Sequence, residues 1–326
     1  MQNMEYEVRA ATEQDLPAIL DLFELSLGSD GGAPVETFWR WKHIDNPFGR
    51  SPVLLAFDKD KLIGLRAFMR WRWELNSKNI PAFRAVDTAT HPDYRGKGIF
   101  SKLTKALIQE LKQTEPSCFI YNTPNTQSKP GYLKMGWKVL GKPNVVGSIA
   151  LAFSRKALER FEKYRGSLQK VDFDNLPFKP ASSQGLVHTH HTLAYFRWRY
   201  QLIPEIPYGS YVYEGKERAI MLFFHLKMRG RFYELRICDE IWSDGVAESA
   251  TALKAYHSLA RKLGTPVISF IPNYKMNFVQ TVAYRVFSLK KYAPEITIRE
   301  VNDAELITRV EDANNWSFNL GDLELF

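Results

Sequence analysis

Cysteine is nearly missing from this chain: 326 residues hold two, Cys118 and Cys238. Both stand in apolar, strand-like runs, so buried free thiols are expected rather than a disulfide or a metal site. No apolar run reaches the roughly 18 residues of a membrane span, which argues against a transmembrane helix. The opening Met-Gln-Asn-Met-Glu-Tyr-Glu lacks the basic and apolar pattern of a secretory leader. Together these absences point to the cytoplasm. Apolar residues are plentiful, at 45% hydrophobic and 13% aromatic, enough for sizeable cores. The length suggests about two domains.

Residues 90 to 100 read Thr-His-Pro-Asp-Tyr-Arg-Gly-Lys-Gly-Ile-Phe. A β-favouring run, Ala85 to Thr90, leads in. Phe100, Leu103, Leu107, Ile108 and Leu111 lead out at helical spacing. A strand, a glycine-bearing basic turn and a helix start make a cradle for phosphate, because free N–H groups and the helix dipole favour an anion there. Two other phosphate loops fit poorly. The dinucleotide fingerprint lacks its third glycine, and Gly-Lys-Gly is not the Gly-Lys-Ser/Thr of a P-loop.

The segment resembles motif A of the GNAT superfamily of N-acetyltransferases, whose pattern is Arg or Gln, two residues, Gly, one residue, then Gly or Ala. Arg95 and Gly98 match, and Phe100 stands in the last position. Downstream, Asn125, Ser128, Tyr132 and Gly136-Trp137 meet the spacings the family carries after its next strand, here residues 118 to 123. The resemblance implies acetyl-CoA, or another acyl-CoA, as co-substrate and no metal. It implies cofactor contacts from Thr88, Ala89, Thr90, Arg95, Gly96, Lys97, Gly98, Ile99, Phe100, Asn125 and Ser128. It also implies Tyr132 as the acid for the leaving thiolate. Asp87 is the best carboxylate by position for the base, against an alternative as a structural ion-pair partner. The terminal carboxylate at Phe326 is a weaker candidate than a frayed tail.

The order of predicted elements agrees with that family: a strand at Tyr6–Arg9, a capping box from Thr12 to Asp15, a helix from Leu16, and a hairpin over Val53–Phe57 and Leu62–Phe68. The expected fold class is α/β, a mixed sheet of α+β type. The second half echoes the first. Thr37-Phe38-Trp39-Arg40-Trp41-Lys42-His43 is answered by Ala194-Tyr195-Phe196-Arg197-Trp198-Arg199-Tyr200, Val86-Asp87 by Cys238-Asp239, and Asn125 by Asn273. No Arg-x-x-Gly follows Asp239, and Glu240 and Asp244 would repel a pyrophosphate. The whole resembles a tandem GNAT with a degenerate second copy, as in Eis-type aminoglycoside acetyltransferases and Fem-type aminoacyl transferases. The expected domains are 1–148 with the CoA site, a crossover at 149–185, and a degenerate copy with tail at 186–326.

The reading is an N-acyltransferase moving an acetyl group to a primary amine by direct attack, with an amino sugar or other small amine as acceptor. Two alternatives stand beside it: a non-catalytic CoA-binding or interaction protein on the same scaffold, and a Fem-like aminoacyl transferase. His188, His190 and His191 read weakly as metal ligands, for want of evident Cys or carboxylate partners. Trp71-Arg72-Trp73 reads more simply as packed indoles around a solvated Arg than as a base-stacking platform. The net charge of +8 suits CoA phosphates. No nucleic-acid motif is present, and a homo-oligomer is left open.

Overall fold

In the computed structural model the described residues are 5–27, 35–115, 117–181, 183 and 185–323. Phe326 lies outside them. Strand β1 (Glu7–Ala10) precedes α1 (Leu16–Leu27) and α2 (Glu36–His43). Then come β2 (Val53–Asp58), β3 (Lys61–Leu75), β4 (Lys78–Thr90), α3 (Ile99–Thr114), β5 (Phe119–Asn122), α4 (Lys129–Lys134) and β6 (Lys138–Gly141). Next are β7 (Val146–Ile149), α5 (Ala157–Gln169), β8 (Lys179–Pro180), β9 (His188–Thr189), α6 (Leu193–Phe196), β10 (Gly209–Glu214), β11 (Ala219–Arg229) and β12 (Phe232–Trp242). The chain ends with α7 (Ser249–Leu263), β13 (Val267–Phe270), α8 (Phe278–Ala283), β14 (Val286–Ser288), β15 (Ile296–Glu300), α9 (Ala304–Val310) and α10 (Leu320–Leu323).

Two compact units result. The first comprises Met1–Trp73, Lys78–Leu140 and Ile296–Asp312; the second comprises Glu74–Ser77, Gly141–Glu295 and Ala313–Phe326. The stretch expected as a crossover, 149–185, begins on the last residue of β7 and holds helix α5 and the short strand β8.

Each unit is built on one mixed sheet. The first runs β1-β2-β3-β4-β5-β15-β6, and the second β10-β11-β12-β13-β7-β14. In the first, β4 pairs β5 in parallel only over Ala82–Arg84 with Phe119–Tyr121, then runs on beside β3 to Thr90 without β5. In the second, β12 pairs β13 in parallel only over Glu234–Arg236 with Val267–Ser269, then runs on to Trp242. Each sheet therefore splays at its centre. Beyond the splay, β5 takes the antiparallel β15, and β13 takes the antiparallel β7. The first unit takes β15 from beyond the second, within Ile296–Asp312, whereas β7 opens the second unit's own stretch Gly141–Glu295; the two sheets fit a tandem arrangement.

Local chemistry explains the elements that frame the first splay. Asp15 accepts from the Thr12 N–H at 2.8 Å and opens the first helical stretch. Helix α3 buries Ile99, Leu103, Leu107, Ile108 and Leu111 against Phe83, Ala85 and Ile120 of the sheet. Each fully buried Leu or Ile contributes roughly 1.5–3 kcal/mol before entropy is charged. Gly64 on β3 lets the helix approach, since a Cβ there would collide with Cγ2 of Ile99. Trp71 and Trp73 are buried with Arg72 partly exposed between them, as strand alternation predicts. Cys118 and Cys238 are buried free thiols, and burial raises the Cys118 thiol to about 12.

Candidate active site

The predicted phosphate turn lies between the splayed end of β4 and α3. Pro92–Tyr94 form a 3-10 turn, and Gly96 and Gly98 both take φ of +75°. Neither glycine is crowded, so the left-handed backbone is what requires them. The first helical bond of α3 runs from Lys102 N to Gly98 O at 3.0 Å. The N–H groups of Ile99, Phe100 and Ser101 therefore have no intrahelical partner. Three side chains brace the turn. Arg95 Nη2 donates to Ser26 O at 2.7 Å, Tyr94 donates to Asp58 at 2.7 Å, and Lys97 Nζ sits 4.5 Å from the Tyr94 ring centroid. Lys97 is exposed and Ile99 is core, so the backbone of residue 99, not its side chain, is what a ligand can meet.

Phe100, the odd residue of the motif, has a defined place. Its ring packs edge-on to Tyr132 at 5.6 Å, and Gly131 leaves the space beside it. Pro130 falls in the first turn of α4, where its missing N–H costs nothing. Tyr132 is buried, and Trp137 packs against it at 5.1 Å. Its hydroxyl accepts from Arg66 Nη2 at 2.7 Å, and Arg66 Nη1 donates to Val86 O at 3.1 Å. Arg66 is fully buried on β3 and lies 4.9 to 5.5 Å from the rings of Phe68, Phe100 and Tyr132. One buried cation thus ties the tyrosine to the splayed strand. Sequence reasoning passed over it; its signal was a lone charge inside the apolar run Leu62 to Phe68.

Asn125 turns its Oδ1 to its own loop, accepting from the Gln127 N–H, the Ser128 N–H and the Ser128 hydroxyl at 2.8 to 3.1 Å. Its Nδ2 makes no hydrogen bond among the described residues. On β4, Thr88 donates to Leu65 O at 3.2 Å, Ala89 is buried, and Thr90 ends the strand half-buried.

Asp87 precedes them on β4 at a backbone kink, φ +31°. Lys42 Nζ lies 2.8 Å and His43 Nε2 2.7 Å from its Oδ2, and one-fifth of its side chain stays exposed. Burial pushes its pKa up, but Lys42 and His43 outweigh that and hold it well below the usual carboxylate range. Burial likewise lowers His43.

The second unit repeats this arrangement in altered form. Asp239 follows Arg236 by the same interval as Asp87 follows Arg84, and a β-bulge falls at Cys238 beside it. Tyr200 donates to Asp239 where His43 meets Asp87. Burial and nearby Asp322 push the pKa of Asp239 up, the opposite direction to Asp87. Glu240 accepts from Tyr256, and burial pushes it up to about 7. The repulsion expected from Glu240 is therefore only partial at neutral pH. The histidine cluster does have carboxylate partners: His190 Nδ1 lies 2.7 Å from Glu74 and His191 Nε2 3.6 Å from Asp239. Among the described residues, no group of three or more His, Cys, Asp or Glu is arranged to hold a metal, and no helix is long and apolar enough to cross a membrane.

Residues 7–140 match the family profile of the acetyltransferase (GNAT) domain, and this part of the chain is a GNAT domain. No curated protein sequence matches the chain. Among solved structures, it is similar in fold to a GCN5-related N-acetyltransferase from Anabaena variabilis, with a TM-score of 0.59 at 14% identity over 91% of this chain and 73% of that one. A probable N-acyltransferase from Enterococcus faecalis gives 0.60 at 12% identity over 92% and 73%. Eis1 from Mycobacterium abscessus gives 0.54 at 13% over 94% and 76%. Domain and fold support acyl transfer as the general chemistry.

Proposed function

We propose that the chain is an acyl-CoA-dependent N-acyltransferase, transferring an acetyl group to a primary amine, with one cofactor site in the first unit. The observation that carries this reading is the contact of Phe100 with Tyr132: the second residue of the phosphate-binding helix touches the proposed acid. The pyrophosphate would lie on the free N–H groups at residues 99 to 101, with Arg95, Gly96, Lys97 and Gly98 around it. The pantetheine arm would run along Thr88–Thr90, taking the Asn125 amide as donor, with Ser128 beside it. Tyr132, oriented by Arg66, would protonate the departing thiolate. Asp87 is a weak base under Lys42 and His43, so its part would be to attract the cationic acceptor, whose proton leaves to solvent. The second unit, with no Arg-x-x-Gly in the turn after β12, would be a degenerate copy. A small amine such as an amino sugar is the acceptor proposed.

Burial of the Tyr132 hydroxyl favours a second reading, a CoA-binding protein in which the tyrosine is packing. One experiment separates them: acetyl-CoA consumption against a panel of amines, with free CoA detected as thiol. Amine-dependent thiol release supports the enzyme. Tight CoA binding with no release across the panel supports the second reading. Absence of CoA binding overturns both.

A further inference from the structure

Helix α8 of the second unit turns its apolar side outward. Phe278 is 82% exposed, Val279 72% and Val282 58%. At 3.6 residues per turn these three span an arc of about 100°, so they stand together in solvent. The polar residues between them turn inward and are half-buried. Gln280 exchanges hydrogen bonds with the Ser249 hydroxyl of α7 at 2.9 and 3.1 Å, and Thr281 donates to Asn277 O at 3.0 Å. A surface helix ordinarily does the reverse.

Both ends of the helix hold it in this orientation. Asn277 and Gln280 close a complete capping box, with Gln280 N 2.8 Å from Asn277 Oδ1 and Asn277 N 3.1 Å from Gln280 Oε1. At the other end the Tyr284 ring packs on His257 at 4.9 Å, and its carbonyl accepts from Ser148. The helix cannot roll Phe278 inward without breaking these contacts. In the first unit α4 follows β5 as α8 follows β13, and α4 buries its aromatic residue, Tyr132.

The charges flanking the exposed face are all positive. From Lys275 to Pro294 the chain holds Lys275, Arg285, Lys290 and Lys291 and no Asp or Glu. Lys275 stands three residues before Phe278 and Arg285 three after Val282, and both are exposed. The His257 pKa is lowered by burial first and then by the charges of Arg261 and Arg285. Both guanidinium groups are therefore near the Tyr284 end of α8, and Arg261 is exposed as well. Lys275, Arg261 and Arg285 make no ion pair among the described residues. Protruding apolar side chains rimmed by unpaired cations suit a surface that is anionic outside and apolar beneath. A two-fold contact between copies would instead bring the same cations face to face. A protein partner would need a pocket shaped to Phe278, which a bilayer does not. The net charge of +8 pulls in the same direction.

We propose that α8 docks the chain reversibly on an anionic lipid bilayer. Phe278, Val279 and Val282 enter the boundary between headgroups and acyl chains, and Lys275, Arg261 and Arg285 meet the headgroup phosphates. The inference is independent of the acyl-CoA reading. The test is sedimentation of the full chain with vesicles of phosphatidylcholine, alone or mixed with phosphatidylglycerol. The expected result is binding to the mixed vesicles only, weakened by added salt. Phe278→Ser should weaken it about tenfold or more, the worth of burying one phenyl ring. Lys275→Glu should weaken it about tenfold through charge. Leu151→Ser, at a residue 79% exposed but off this helix, should leave it unchanged. All three side chains are exposed, so the variants should melt at the wild-type temperature. No binding to the mixed vesicles, equal binding to the neutral ones, an indifferent Phe278→Ser, or the same loss in Leu151→Ser overturns the proposal. So does light scattering that shows a self-associated chain which Phe278→Ser makes monomeric.

Discussion

Arg66 donates to the hydroxyl of Tyr132 at 2.7 Å from a fully buried position. The tyrosine cannot turn freely, because its oxygen is held by a cation and its ring lies between Phe100 and Trp137. On the proposed mechanism this phenol gives its proton to the departing thiolate. Tyr132→Phe should therefore slow acyl transfer about 10²–10⁴-fold, the usual worth of a general acid, with acyl-CoA affinity nearly unchanged. Single-turnover rates beside calorimetric Kd values check this. A wild-type rate, with product release shown not to limit, would remove Tyr132 from the mechanism. Leaving Arg66 without its acceptor also costs stability, about 1–3 kcal/mol, read from denaturant midpoints.

Gly98 tests the cofactor site. Its φ of +75° lies in the left-handed region, and a Cβ there would meet nothing within 4 Å. Gly98→Val is therefore a backbone perturbation and not a steric clash. The β-branched residue should pull the turn out of shape and weaken CoA binding at least tenfold. Wild-type protein should bind one CoA per chain. Two equal sites, or an indifferent Gly98→Val, would contradict a single cofactor site.

Lys42, 5% exposed at its side chain, depends on Asp87 for compensation. Asp87→Asn leaves that ammonium buried without a countercharge, which costs about 3–5 kcal/mol. Lys42→Met together with Asp87→Asn should recover part of the loss, because the stranded charge is gone. The depressed pKa of Asp87 adds a pH signature. Its stability contribution is present above the ordinary carboxylate range, near 3.9, and is lost as pH falls below it. Denaturation midpoints from pH 5 to pH 2 should fall steeply in wild type and less so in the double variant. Additive single losses would rule out the coupling.

Glu240 carries the opposite sign. Its folded pKa is about 7 against an ordinary value near 4.3. Between these values the folded chain holds more protons than the unfolded one, so stability falls as pH rises. Glu240→Gln removes that slope and should be the more stable protein at pH 8. Urea midpoints taken from pH 4 to pH 8 decide it, and parallel curves for the two proteins would refute it.

Much of this was legible in the chain itself. The stripe of Leu103, Leu107 and Leu111 and the basic glycine turn before it are local patterns, and local patterns fix a strand–turn–helix. The echo of Lys42-His43 in Arg199-Tyr200, and of Asp87 in Asp239, matches pairs that meet in each unit. Arg66 escaped because nothing near it in sequence names its partner, which lies 66 residues away at Tyr132. The places of β7 and β15 escaped for the same reason. A four- or five-residue strand carries no mark of the sheet it joins, and its register is set only by distant neighbours.

The place of β15 in the first unit makes the last prediction. β15 pairs Thr297 with Asn122 and Glu300 with Phe119, and the Thr297 hydroxyl donates to the Asn122 side chain in a fully buried contact. A fragment of residues 1–145 contains the entire matched GNAT segment, 7–140, yet lacks that strand. Its β5 would present a bare apolar edge, Phe119-Ile120-Tyr121, between β4 and β6, and such edges recruit other chains. Expressed alone, this fragment should aggregate or unfold well below the full chain. Joining residues 296–312 to it through a flexible linker should restore a soluble, cooperatively melting unit that binds CoA. Light scattering and calorimetric melting of the two fragments make the comparison. A soluble 1–145 fragment with the same melting temperature as the linked form would show that the borrowed strand is dispensable.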